Sequence, residues 1–515
     1  MKTIIILMCI CSFEFTNAQN KNINWTFGDS AGINFSNFNQ PTTFITSAKS
    51  RGSCASISDS AGSLLFYYAY DPNALLGGSL YNGNVYDKNN QIMQNGDYIV
   101  TLAWYYEGII IPIPNETDKY YLFNIGVATK FGLYYSIIDM SLNNGLGAVT
   151  QKNIPINNLD ANDGLTAVQH GNGRDWWLLF RKYDGVWDNT FYKYLIDING
   201  VTCVDTQNIG FVYSTNSTRY VFNKLGNKLA GIYYNGHSET FDFDRCTGQL
   251  SNNIVLKTNG TTLPPDENLS CEFSDNGRFL YIATSGYYNA AYLIQVDLLN
   301  PQLYAAADTI DSINYVLEPG GQLKRGPDDK IYWACGYTDG FNFPYPYPDT
   351  LYNTYNTYLS VINSPDSLGA ACNFTPYSFY LGGARTYWGL PNIPDYDLGP
   401  LKGSPCDTLQ WVGTPETPKP PLGGLNAGLL QCTYISAWEK LFVNASGLKG
   451  KNVTVSIYDA TGKQKYVAGK SPKGDLGVHS GYATVDVDCA GWSDGLYVVH
   501  LQTEKEVLST KFVKE

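Results

Sequence analysis

Few residues in this chain of 515 carry the types and spacings that catalysis requires. Gly28-Asp-Ser-Ala-Gly32 matches G-x-S-x-G, the turn that presents a nucleophilic Ser above the parallel sheet of an α/β-hydrolase. That turn needs a helix after the Ser, and Ile33-Asn-Phe-Ser-Asn-Phe38 has no helical stripe, so the motif reads as a turn between strands. Only four His exist, His170, His237, His479 and His500. His170 and His237 sit apart in polar, turn-rich segments, which suits loop residues better than catalytic bases or metal ligands. Asp160-Ala-Asn-Asp-Gly164 has the oxygen atoms and Gly of a calcium turn, but not the EF-hand spacing or its distal Glu. No catalytic residue, metal or cofactor is therefore expected. Paired carboxylates for glycan cleavage are defined by distance in space, so an enzyme that hydrolyses or eliminates glycans stays open as the alternative.

Aromatic loops are the stronger lead. Phe341-Asn-Phe-Pro-Tyr-Pro-Tyr-Pro-Asp-Thr-Leu-Tyr-Asn-Thr-Tyr355 is long, stiffened by Pro and rich in uncharged ring faces. Rings beside Asn and Asp suit a sugar or peptide, which stacks on the ring and hydrogen-bonds to the amides and carboxylates. Tyr345, Tyr347, Tyr352 and Tyr355 are the candidate ligand-binding residues, with Trp104 in the similar Trp104-Tyr-Tyr-Glu107.

The elements that must hold these loops are strands. Charged residues are only 16% of the chain, aromatics reach 14%, and there are 41 Tyr and 50 Gly. Tyr fits half-buried pleated surfaces and Gly supplies turns. The net charge of −12, without a basic stripe, argues against nucleic acid and against anionic lipid. Met1-Lys2-Thr-Ile-Ile-Ile-Leu-Met8 followed by Thr16-Asn17-Ala18 reads as a secretory leader over 1–18. No other segment has the length of apolar residues a transmembrane span needs. Of the 11 Cys, Cys9 and Cys11 fall in the leader. Cys406 and Cys432 flank a Pro-rich stretch and could close it as a loop.

A strand, a polar turn and a second strand recur near Cys54, Pro112, Ala167, Tyr220, Cys271 and Leu323. A third strand follows most of them. A period of about 50 residues with three or four strands per unit is the mark of a β-propeller, whose blades bury their faces by stacking in a ring. The segments Trp25–Phe35 and Gly389–Pro394 lie outside the six units, and pairing them would make a seventh blade. The expected fold is all-β, a seven-bladed propeller over 19–396. Pro400, Pro405, Pro415, Pro418, Pro420 and Pro421 make 397–432 a linker. Alternating strands over 433–515 suggest a small Ig-like sandwich.

Two resemblances extend this reading. Trp25-Thr-Phe-Gly-Asp-Ser-Ala-Gly-Ile-Asn-Phe35 and Gly389-Leu-Pro-Asn392 resemble the opening and closing motifs of a Bacteroidetes family of secreted propeller-like proteins. That resemblance covers about 25–396 and implies no general activity. The C-terminal stretch resembles the type A sorting domain of the Bacteroidetes type IX secretion system. The resemblance rests on Tyr458-Asp-Ala-Thr-Gly-Lys463, on Gly495, Leu496 and Tyr497, and on Lys511, Phe512, Val513 and Lys514. The usual Pro-Asn-Pro near the domain start is missing, with Leu441-Phe-Val-Asn-Ala445 in its place. This resemblance implies the type IX translocon as a partner and delivery outside the cell or onto its surface. Asp-Ser/Thr-apolar triplets at Ser30, Ser60, Thr309, Ser312, Thr350, Ser367 and Thr408 resemble the O-glycosylation motif of such exported proteins. The functional expectation is a non-enzymatic adhesion module that binds a glycan or protein ligand.

Overall fold

The computed structural model describes residues 20–72, 81–102, 105–126, 132–183, 188–213, 217–257, 267–284, 291–313, 320–337, 345–407, 429–435, 439–446, 454–459, 463–469, 477–479, 482–503 and 507–514. The leader, Trp104, Thr408 and most of the expected linker lie outside these residues. The chain divides into two compact units, Met1–Thr408 and Leu409–Glu515.

The first unit is a β-propeller. Among the described residues, seven antiparallel sheets follow one another along this unit, two of three strands and five of four. These blades span 24–49, 54–87, 108–155, 166–213, 218–257, 268–313 and 320–380. Blades 2 to 7 start within a few residues of the six repeats read from the sequence. Second strands such as Trp176–Arg181 and Phe279–Thr284 are buried along their whole length, because a neighbouring blade covers each face. Fourth strands such as Leu250–Lys257 are exposed through their middle, as the rim of a ring must be. The polar turns after the first strands are closed by their own side chains. Asp59 Oδ1 accepts from the Ala61 and Ser63 amides at 2.9 and 2.8 Å, and Asn223 Oδ1 accepts from those of Asn227 and Lys228 at 3.0 Å each.

Adjacent blades share apolar cores, and the last shares one with the first. Tyr332 of blade 7 meets the edges of Trp25 and Phe35 of blade 1, with ring centroids 5.6 Å apart in both pairs. Blade 1, however, is not assembled from both ends of the repeat region. Asn24–Phe27, Asp29–Asn34 and Thr42–Lys49 pair with one another. The closing segment adds only bridges from Arg385 to Asp29 and Ser30. Pro391 and Pro394 have no amide hydrogen to donate, so the segment around them cannot sustain a ladder.

The expected linker also begins later than composition suggested. Residues 397–407 lie against blades 4 and 5, where the Gly399 amide donates to Gln169 Oε1 at 2.8 Å and the Leu401 amide to the Gly171 carbonyl at 2.7 Å. Cys406 is joined to Cys246 of blade 5, so it is not the partner of Cys432.

Among the described residues, the second unit is a small sandwich of two four-stranded sheets. It opens with Leu429–Ile435, ahead of the expected boundary. Leu441, Val443, Val455, Ile457, Val487, Val499 and Leu501 form its core. They sit at alternate strand positions, as a two-layer fold requires.

Candidate functional site at the two ends of the ring

On the inner side of the propeller the blades are joined by the chain's own closing segment. After the last strand of blade 7, residues 384–398 pass the inner ends of several blades and bond to their backbones. The Gly389 amide donates to the Arg51 carbonyl at 2.9 Å and the Asn392 amide to the Cys54 carbonyl at 2.8 Å. Asn392 Nδ2 donates to the Gly108 and Leu165 carbonyls at 3.1 and 3.0 Å, and its Oδ1 accepts from Arg219 Nη1 at 3.1 Å. One side chain thus joins blades 3, 4 and 5 while its backbone holds blade 2. Gln322 Oε1 of blade 7 accepts from the Leu390 amide at 2.6 Å. Gly389 must be Gly because a Cβ there would meet Gly52 Cα at 2.3 Å. The closing motif is therefore an axial brace rather than a strand.

The aromatic loop divides into a structural half and a presented half. Tyr347 is 4% exposed, stacks on Tyr387 at 4.3 Å and accepts from the Tyr337 amide at 2.9 Å. It offers no free face, so its ligand-binding expectation is corrected: the ring is packed because the axial segment returns beneath it. Tyr345 lies edge-on to the same Tyr387 at 4.9 Å and donates to the Lys49 carbonyl at 2.7 Å. Tyr352 stands 54% exposed, its ring against the Arg385 guanidinium at 4.5 Å. Tyr355 is half-buried, 6.3 Å from Tyr337 and 5.4 Å from Tyr377. Beyond it, Tyr358 and the exposed Tyr380 pair at 5.0 Å.

Two devices fix this rim. Asn353 and Asn356 form a reciprocal capping box around the helical turn Thr354–Thr357. Arg385 Nη1 donates to the Pro348 and Leu351 carbonyls at 2.7 and 3.0 Å, and its Nε donates to Asp29 Oδ2 at 2.8 Å. Nothing in the sequence marked Arg385, because its partner Asp29 lies at the other end of the propeller region.

At the opposite end of the ring, where first strands turn into second strands, the axis opens into a cavity of about 260 Å³. Arg219, Glu272 and Lys324 from first strands line it, together with Asn392, Asp395 and Asp397 of the axial segment. Burial pushes the Lys324 amine down to about 8, against the opposing pull of Glu272. Burial, aided by Asp395, pushes the Asp397 carboxyl up to about 7.

The residues screened for catalysis have structural surroundings. Ser30 lies in the second strand of blade 1 at φ 69°, beside Asp29. His170 fastens its turn, with Nε2 3.0 Å from the Cys246 carbonyl and Nδ1 accepting from the Asn172 amide at 3.0 Å. His237 is fully buried, stacked on Phe211 at 4.2 Å. Asp163 is fully buried and accepts from the Thr218 amide at 2.7 Å, and burial pushes its carboxyl up to about 8. Among the described residues no cluster of three or more His, Cys, Asp or Glu is placed to hold a metal. Of the triplet hydroxyls, Ser60, Thr309, Ser312 and Thr350 are exposed, and Ser30 and Ser367 are half-buried.

In the second unit the divided C-terminal motif becomes one hairpin. Gly495–Gln502 pairs with Val507–Lys514, placing Gly495 opposite Lys514, Leu496 opposite Val513, and Tyr497 opposite Phe512. Lys511 is opposite Val498. Tyr497 and Phe512 stack at 5.2 Å inside the sandwich. Lys514 is 5% exposed and donates to the Cys489 and Trp492 carbonyls at 3.2 and 2.8 Å. Its amine ties the last strand to the fold rather than facing outward.

Residues 437–515 match the family of secretion system C-terminal sorting domains. This tail marks the protein as cargo of the type IX secretion system, exported across the outer membrane to the cell surface or beyond. Among the described residues no helix is long and apolar enough to cross a membrane. Solved structures similar to the first unit include the Swd1 β-propeller domain of Myceliophteria thermophila, at 10% identity and TM-score 0.32, covering 62% of this chain and 94% of that one. The periplasmic gluconolactonase of Pseudomonas aeruginosa is 13% identical with TM-score 0.27, over 65% and 96% of the two chains. A puromycin hydrolase is 9% identical with TM-score 0.34, over 71% and 55%. No curated protein matches the chain. The protein is thus a β-propeller carried out of the cell by a type IX sorting tail.

Proposed function

We propose that the exported propeller is a binding or adhesion module that takes a glycan or protein ligand on the tyrosine rim of blade 7. The observation that carries this reading is the held exposure of Tyr352 and Tyr380, at 54% and 53%. Both sit on chain fixed by Arg385, by the Asn353 capping box or by strand pairing. Rings already in place lose little freedom when a ligand stacks on them. Their lack of formal charge favours a neutral polysaccharide, and weak sites on a surface-bound protein gain by avidity. Trp104 remains part of this proposal on sequence grounds alone.

The test is a glycan and peptide array probed with the exported chain, followed by product analysis of any hit. Tyr352→Ala together with Tyr380→Ala should weaken the captured ligand about thirtyfold, at roughly 1 kcal/mol per stacked ring. Undiminished binding by a folded double variant overturns the rim as the site. Turnover of a captured glycan would replace adhesion with the glycan-cleaving reading.

A further inference from the structure

We propose that the axial cavity at the end of the ring opposite the tyrosine rim is a second binding site, for a single uronic-acid-type sugar. Its carboxylate would meet Lys324 and Arg219, and its hydroxyls would meet Asp395 and Asp397.

Several charges around the cavity are already paired. Lys224 at the mouth pairs with Asp275 at 2.5 Å and Asp329 at 3.2 Å. Arg325 pairs with the same Asp275 at 2.9 Å. Glu272 accepts the amides of Phe273 and Arg325 at 3.1 and 3.2 Å. Two cations deeper in the wall are left with unused donors. Lys324 donates one bond, to the Ile393 carbonyl at 2.9 Å, and has two further N–H groups. Arg219 is 4% exposed, lies 4.2 Å from the Tyr106 ring, and gives Nη1 to Asn392 while its buried Nε has no partner. Neither has a carboxylate within ion-pair distance among the described residues.

A buried guanidinium and an amine in one cavity, neither in a direct ion pair and with Glu272 acting on Lys324 only at longer range, are costly unless an anion completes the site. Lys324 and Arg219 line the same cavity, and Arg219 adds to the burial that lowers the basicity of Lys324, against the pull of Glu272. The remaining wall joins apolar side chains such as Trp25, Ile109 and Leu398 to the carboxyl groups of Asp395 and Asp397. Asp397 holds its proton near neutral pH and Asp395 lies beside it, so together they can donate to and accept from hydroxyl groups. A body with one carboxylate and several hydroxyls matches both halves, and a cavity of about 260 Å³ suits one sugar ring rather than a chain.

The experiment is isothermal titration calorimetry of the exported chain with glucuronate, glucose and acetate. Glucuronate is expected to bind at least tenfold tighter than either control. Lys324→Gln should weaken glucuronate at least tenfold with an unchanged melting temperature. Tyr352→Ala should leave glucuronate binding as it was, which separates this site from the rim. If Lys324→Gln does not fold, Asp397→Asn is the second variant, expected to weaken glucuronate severalfold and leave acetate unchanged. The proposal is overturned by absent glucuronate binding, by glucose or acetate binding as tightly, or by a folded variant that binds glucuronate like the parent.

Discussion

Two irregular segments flank the end of blade 7, and they do opposite things. The loop 345–358 and the axial segment 384–398 are both rich in aromatic residues and Pro, and neither belongs to the repeat. The axial segment turns its polar groups inward, bonding the first strands of several blades. The loop fixes its backbone through Arg385 and leaves Tyr352 outside. What separates them is the bonding available to backbone groups. A segment inside a ring must satisfy every amide there, whereas one at the edge can leave side chains to solvent. An irregular stretch in a repeat fold is therefore an internal brace or a presented surface according to where its hydrogen bonds go.

The axial side of the comparison is broken most severely at Asn392. Asn392→Leu strips the Gly108 and Leu165 carbonyls and Arg219 of their partner. Each orphaned buried group costs roughly 1–3 kcal/mol, so a loss of about 3 kcal/mol or more is expected in urea unfolding. A loss under about 1 kcal/mol would mean that the axial segment does not brace the ring.

Next in size is the disulfide that fastens the end of that segment. Cys406→Ser should cost about 2–4 kcal/mol, and reducing agent should bring the parent to the same midpoint. A variant as stable as the oxidised parent would show that the bond adds nothing to the brace.

The buried carboxyls set a smaller effect, visible as pH dependence. Folded Asp163 keeps its proton to about pH 8, whereas its ordinary value is 3.8. Asp397 keeps its proton to about 7. Between these limits the unfolded chain binds fewer protons than the folded one, so stability should fall as pH rises from about 4 to about 8. Asp163→Asn should flatten that slope in melting curves taken at intervals of pH. An unchanged slope would remove Asp163 as its source.

The smallest effect lies on the rim. Tyr352→Ala should shift stability by no more than about 0.5 kcal/mol, as for surface substitutions generally. Tyr347→Ala, five residues earlier in the same aromatic stretch but buried, is the contrasting variant and should cost about 3–5 kcal/mol. Equal costs for the two would erase the division between structural and presented rings.

By itself the sequence determined the blades, their spacing, the C-terminal sandwich and the export address. These rest on local information: strands alternate or run apolar, turns need Asp, Asn and Gly, and each blade repeats the pattern. The sorting motif was legible for the same reason, although only pairing shows that Lys514 closes a hairpin and is buried. The tertiary structure decided what joins residues far apart in the chain. Asp29 meets Arg385, Cys246 meets Cys406, and Asn392 meets blades 2 to 5. It also decided which Tyr of one loop faces outward, because Tyr345, Tyr347, Tyr352 and Tyr355 are chemically alike. Composition marks a ring as able to stack, but only the packing of the ring beside Tyr387 or beside solvent assigns its role.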